Sequence, residues 1–197
     1  MFNAVQVKEE FIRVFKKNIT RKGSERLFKY LCGTDFFTAP ASTRFHSSCE
    51  GGLMYHSLCV YKRLVQLNEI ENTEFSADTL ALCALLHDVC KVNFYTTELR
   101  NKKNEKGQWE QVPYYTVDDK FPFGHGEKSV YMLQNFVSLS REESLAIRWH
   151  MGGFDDTVKG GNSAVFGTAC NTTPLLVLLS TADFHATYLD EVETEVN

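Results

Sequence analysis

The chain has 197 residues, of which 43% are hydrophobic and 23% charged, a balance that excludes a disordered protein. Its length is enough to bury a full core without disulfide or metal staples. Lys and Arg number 21 against 25 Asp and Glu, and the net charge of −4 excludes a protein that coats nucleic acid through bulk positive charge.

Residues 6–18 place Val7, Phe11, Val14 and Phe15 at helical spacing. This segment also carries Lys8, Glu9, Glu10, Arg13, Lys16 and Lys17 and so lacks the apolar run of a secretion signal. Ser24 is positioned to cap a second, short helix that ends near Gly33. A loop rich in Ala, Pro, Ser and Thr follows over 38–52. Residues 53–68 form a strong helix with Leu53, Val60, Leu64 and Leu67 on one stripe. Ser76 caps the next helix, from Ala77 to about Val89, which is apolar almost all round and therefore central. Residues 96–117, with an Asn-Glu-Lys-Gly turn at 104–107, read as a β-hairpin inserted between helices. Helices resume over about 126–137 and from the Ser140/Glu143 capping box to His150. Residues 152–167 read as a Gly-rich loop. Thr173 caps, and Pro174 opens, a last helix that runs to about Leu189. The charge-free stretch 160–182 holds Gly160, Gly161, Asn162, Asn171 and Pro174, which argues against a lipid-facing span. The acidic tail 190–197 reads as frayed. The six cysteines form no CxxC pair and read as reduced thiols. The expected fold is an all-α helical bundle with one hairpin, a single domain over 1–197 with residues 1–35 packing on it, in a cytoplasmic protein with no membrane partner.

The chemistry concentrates on few residues. His56 lies on the buried stripe of its helix. His87 is on the core side of the apolar helix, four residues after Cys83, and Asp88 follows it directly. Asp183 sits inside the apolar run of the last helix. A buried, unpaired carboxylate costs several kcal/mol, roughly the cost that a divalent cation among these four residues would remove. Lys91 stands three and four residues after Asp88 and His87. A cation beside a metal is tolerable when an anion such as phosphate lies between them; otherwise Lys91 neutralises a helix end.

Three segments together resemble the HD-domain phosphohydrolases: Gly51-Gly52-Leu53-Met54-Tyr55-His56-Ser57, Leu86-His87-Asp88-Val89-Cys90-Lys91 and Thr181-Ala182-Asp183. The resemblance covers about residues 40–190. Cys90 stands where that family commonly has Gly. The resemblance implies an HD-type helical bundle and one or two divalent ions (Mn, Fe, Co, Ni or Zn, with Mg possible). One ion would be held by His56, His87, Asp88 and Asp183. Asp88 would bridge to a second held by His125 and His150; these two histidines would otherwise contact substrate, and His150 would otherwise cap its helix. The family often shows two adjacent histidines near His150, whereas here Met151 follows, which weakens the second position.

The implied activity is hydrolysis of a phosphoester by a metal-activated water, with Asp88 and Lys91 catalytic. Lys91 would also bind substrate, along with Arg44 and His46 in the loop and Tyr115 in the hairpin. The expected substrate is a nucleotide: a nucleoside mono- or triphosphate or a cyclic nucleotide. The glycine-glycine segment is also similar to HD-domain exoribonucleases, so 3′–5′ cleavage of single-stranded RNA or DNA is the alternative. A non-catalytic module binding metal and nucleotide and a di-iron oxygenase on the same scaffold are the other readings. A homodimer is a further expectation. The basic hairpin, with Arg100, Lys102, Lys103, Lys106 and Trp109, reads as a solvated ribbon with one packed Trp. His185 reads as structural, and Cys59, Cys83 and Cys90 as core fillers.

Overall fold

The computed structural model describes residues 2–191. Two helices open the chain, α1 (Ala4–Asn18) and α2 (Ser24–Cys32). The long α3 (Gly52–Ile70) and the apolar α4 (Ala77–Leu86) follow. An antiparallel hairpin of β1 (Tyr95–Lys103) and β2 (Trp109–Val117) comes next, in register from Tyr95 opposite Val117 to Lys103 opposite Trp109. The chain continues through α5 (His125–Gln134), α6 (Arg141–Trp149), the short α7 (Asp156–Lys159), α8 (Ser163–Thr172) and α9 (Pro174–His185). A π-helical turn, Ala186–Asp190, extends α9.

Helix α4 forms the centre. Every residue from Leu80 to Leu86 is buried, because this helix has no polar face to offer solvent and must be enclosed by its neighbours. Each of its leucines contributes about 2 kcal/mol on burial. Helices α1, α3 and α6 pack around it, and α9 lies against both α3 and α6. Phe11 and Phe15 of α1 join Leu27 and Leu31 of α2 and the T-shaped Phe36–Phe37 pair in the same core.

Local signals explain most boundaries. Ser76 Oγ accepts from Thr79 N–H, Ser140 and Glu143 form the capping box, and Thr173 Oγ1 accepts from Leu175 N–H ahead of Pro174. The second helix departs from expectation: Gly23, at φ +96°, occupies the cap position, and Ser24 is the first helical residue with no side-chain cap. Gly23 is required there because a Cβ would meet the Phe136 carbonyl oxygen at 1.9 Å. The Gly-rich segment is not one loop. It contains α7, and α8 begins within it at Ser163, where packing against α6 and α9, with Phe166 against Trp149, overrides the weak helix propensity of Val165 and Phe166. The helix bearing the His-Asp pair also stops early, at Leu86, and gives way to a 3₁₀ turn over Val89–Lys91. Asp190 and Glu191 are not frayed: Asp190 pairs with Arg63 and Glu191 with His56. The rest of the acidic tail, 192–197, lies outside the described residues. Trp109 is exposed rather than packed, with the Lys103 ammonium 5.2 Å from its ring. Among the described residues no single helix is long and apolar enough to cross a membrane; the charge-free stretch is broken where α8 meets α9 and its extension at 111°.

Candidate metal centre

Five helices, α3, α4, α5, α6 and α9, deliver the site. The Gly-Gly pair has two separate reasons. Gly51 caps α3 in the left-handed region at φ +75°, and Gly52 passes so close to the loop that a Cβ would sit 1.9 Å from the Ser47 carbonyl oxygen. This contact draws the 42–50 loop over the start of α3, one turn before His56. At the end of α4, Asp88 leaves helical geometry (φ −100°, ψ 16°). That bridge conformation turns its carboxylate between His87 and Lys91. His125 is the first residue of α5, and His150 follows the last residue of α6.

The imidazoles are held in defined orientations. His87 Nδ1–H donates to the Ala84 carbonyl at 2.8 Å, and His150 Nδ1–H to the Ile147 carbonyl at 2.7 Å. Because a carbonyl only accepts, both rings carry their proton on Nδ1 and turn a bare Nε2 inward. His56 Nδ1 donates to Glu191 at 2.6 Å and likewise points Nε2 inward. Its Nε2 lies 3.2 Å from His87 Nε2, 3.2 Å from Asp183 Oδ1 and 3.7 Å from Asp88 Oδ2. On the other side of Asp88, His125 Nε2 is 2.8 Å from Asp88 Oδ1 and 3.2 Å from His150 Nε2.

Charge follows from these contacts. Burial opposes a charge on His56, but Asp183 and Glu191 outweigh it and raise its pKa to about 10. His125 is likewise held at about 10, against burial, by Cys90 and Asp88. Burial keeps His87 neutral, with a pKa near 3 that Asp88 does not restore. Asp88 and Asp183 remain ionised well below the usual carboxylate range despite burial, Asp88 through Lys91 and Asp183 through His56. Lys91 Nζ sits 2.6 Å from Asp88 Oδ2, and that carboxylate outweighs burial to hold its charge.

The residues fit a divalent ion. Two pairs of imidazole nitrogens meet Nε2 to Nε2, an arrangement that only a proton or a cation between them satisfies. Asp88 Oδ1, in a side chain 97% enclosed, lies 2.8 Å from His125 Nε2 and 3.5 Å from His150 Nε2 without a well-directed hydrogen bond to either, a placement suited to an ion shared between them. Donor atoms of His56, His87 and Asp88, of His87, His150 and Asp183, and of Asp88, Cys90 and His125 lie within 4.8 Å of one another in each group. Nitrogen and carboxylate donors suit first-row divalent ions. All six residues expected as ligands, His56, His87, Asp88, Asp183, His125 and His150, therefore meet in one place.

The cluster floors a cleft of about 2090 Å³. Lys91 and His46 line it. The His46 ring lies 4.8 Å from that of His56, its Nε2 is buried without a partner, and burial lowers its pKa to about 4. Arg44 and Tyr115 are not in its wall. Arg44 is exposed over Phe45, and Tyr115 sits on β2. Three features lie outside the sequence reading. Glu191 backs His56. Cys90 Sγ lies 3.4 Å from His125 Nδ1. Four exposed rings, Phe45, Phe154, Phe184 and Tyr188, stand around the mouth with Lys159. The aromatic residues carry no periodicity that separates them from core positions, so only their shared location marks them.

No curated protein and no solved structure matches the chain. The family described as HD domain matches residues 53–183, from the first turn of α3 to the last carboxylate of the cluster. HD domains form a superfamily of metal-dependent phosphohydrolases, and the His/Asp cluster is able to hold such a metal. The matched span takes in His56, His87, Asp88, His125, His150 and Asp183 and covers well over half of the protein, so the chain belongs to the HD-domain family.

Proposed function

We propose that the protein hydrolyses a phosphoester of a nucleotide. The observation that carries this reading is the convergence of four inward imidazole nitrogens and two ionised carboxylates beside a lysine, on the floor of an open cleft. His56, His87, Asp88 and Asp183 would hold one divalent ion, and Asp88, His125 and His150 a second. A bound ion supplies Lewis acidity and brings a water's pKa to about 7. Lys91, held by Asp88 and open to the cleft, binds a phosphoryl oxygen and offsets its growing charge. His46, neutral at physiological pH and with Nε2 unpartnered, offers a hydrogen bond to the phosphate or the leaving oxygen. The enclosed Asp88 and His87 keep bulk water from the ligand side. The aromatic rings at the mouth suit the face of a base, a contact worth about 1–3 kcal/mol.

The size of the cleft supports a second reading. Ordinary small-molecule pockets occupy about 300–1,000 Å³, and this cleft is larger and rimmed by several rings, as the 3′ end of a single-stranded RNA or DNA would need.

The test is a panel of nucleoside mono- and triphosphates, cyclic nucleotides and a 5′-labelled single strand, with Mn²⁺, Co²⁺, Ni²⁺, Zn²⁺ or Mg²⁺ added singly. Cleavage of one nucleotide supports the first reading, and a shortening ladder of products the second. Asp88→Asn and His87→Ala are expected to lose nearly all activity, and Lys91→Ala about 10²–10³-fold in kcat. Full activity after exhaustive chelation would overturn both readings. A metal-loaded protein inert on the whole panel would instead point to a binding module.

A further inference from the structure

The three buried imidazoles of the centre all turn Nε2 inward but are not backed alike. His87 and His150 each donate Nδ1–H to a neutral backbone carbonyl, whereas His56 donates to the carboxylate of Glu191. Glu191 lies eight residues beyond Asp183 and outside the span matched by the family. Its placement is built, not incidental. The π-helical turn Ala186–Asp190 buries Ala186, and Glu191 N–H donates back to the Ala186 carbonyl at 3.0 Å. Asp190 pairs with Arg63, two turns along α3 from His56, and so anchors the turn to the helix that carries that histidine. The Glu191 side chain is fully enclosed. One oxygen accepts a hydrogen bond from His56 Nδ1–H at 2.6 Å and the other accepts from Ser47 Oγ, in a loop that lines the cleft.

A fully enclosed carboxylate with one hydrogen bond to a metal-facing imidazole has a specific consequence. It fixes which ring nitrogen carries the proton, holds the ring plane, and increases the electron density that the other nitrogen donates. We propose that Glu191 is a positioning residue of the metal centre: it locks His56 with Nε2 toward Asp88, Asp183 and His87, and makes His56 a stronger ligand than the carbonyl-backed His87. This inference rests on the metal-centre reading above. It differs from a purely structural role, in which the carboxylate only ties down the turn. In that case its loss would lower stability and leave the metal affinity of the folded protein unchanged.

The experiment measures Zn²⁺ affinity of the full chain by competition with a chromophoric chelator, for the unaltered protein, Glu191→Gln and Glu191→Ala, each checked for native fold by circular dichroism. The Gln variant keeps an acceptor for the His56 proton but not the charge; the Ala variant removes both. Glu191→Ala is expected to weaken binding by about 10–100-fold, with Glu191→Gln between it and the unaltered protein. The ¹⁵N shifts of His56 in the zinc-loaded protein should report Nδ1–H and a ligated Nε2, and lose that signature in Glu191→Ala. Equal affinity in the unaltered and Ala proteins overturns the inference while leaving the metal centre standing. If the Ala variant does not fold, equal affinity of the Gln variant and the unaltered protein overturns it. No Zn²⁺ binding by the unaltered protein removes the metal centre itself and the inference with it.

Discussion

His56 and His125 on one hand and His46 and His87 on the other take opposite charge states in the metal-free protein, and their stability contributions run in opposite directions with pH. His56 and His125 are raised from 6.5 to about 10. Their contribution is fully present below pH 6.5 and is lost as pH rises toward about 10. His46 and His87 are lowered from 6.5 to about 4 and about 3. Theirs is fully present above pH 6.5 and is lost as pH falls toward those values. The urea midpoint of the metal-free protein is therefore expected to peak near pH 6.5 and fall on both sides. Metal binding needs neutral imidazoles, so His56 and His125 must each release a proton. The logarithm of Zn²⁺ affinity should rise with pH by up to about 2 per unit between pH 7 and 9, and calorimetric enthalpies should depend on the buffer. Affinity independent of pH in this range would show that the two histidines release no proton on binding and are not held charged in the metal-free protein.

At the scale of elements, close approach and buried charge decide where the ligands stand. Helix α5 meets α6 at Gly126, where a Cβ would lie 2.1 Å from the Arg148 carbonyl oxygen. This backbone cannot give way as a side chain can, and it joins the residue after His125 to one two before His150. Gly126→Ala is expected to separate those two histidines and weaken metal at their position, with the ligands His56, His87 and Asp183 still able to hold an ion. Metal content and Co²⁺ absorption of the variant check this; full retention of every bound ion would mean that α5 shifts without cost. A second element-scale device ties the α1–α2 turn to α4 and α6. Arg21 donates to both oxygens of Glu143 and pairs with Asp78, and Thr79 Oγ1 also donates to Glu143. Glu143 is 98% enclosed, and burial is outweighed by Arg21 in holding it ionised. Arg21→Ala leaves that charge buried with no cationic partner and is expected to lower unfolding free energy by about 3–5 kcal/mol in urea denaturation.

Across the whole molecule, the hairpin and the helical core are distinct. The outer part of the ribbon exposes Leu99 and Trp109, and two of its cations stack on its own rings, Arg100 on Tyr114 and Lys103 on Trp109. Leu99 and Pro113 lie opposite each other, so residues 99–113 can be replaced by an Asn-Gly turn without stretching the chain. This trimming is expected to change stability by less than about 1 kcal/mol and to leave Zn²⁺ affinity unchanged. A large loss of either would show that the ribbon supports the core.

The sequence by itself determined the helical class and most caps and pointed to His56, His87, Asp88 and Asp183 as candidate donors, while His125 and His150 were reached only through the family resemblance. Caps depend on side chains within three residues of the helix start, and imidazoles and carboxylates on otherwise apolar helices are costly unless they share a partner. Ser76, Thr173, Asp183 and His87 are legible in those terms. Only the tertiary structure decided which histidines face one another, that Gly23 rather than Ser24 caps α2, that α8 rises out of the Gly-rich segment, and that Arg44 and Tyr115 stand away from the cleft wall. It alone brought Glu191 to His56 across 135 residues of chain and gathered four separated rings at the mouth. A charge in an acidic tail and a ring on a helix face have no local signature of the neighbour they will meet, because long-range packing, and not nearby sequence, sets that distance.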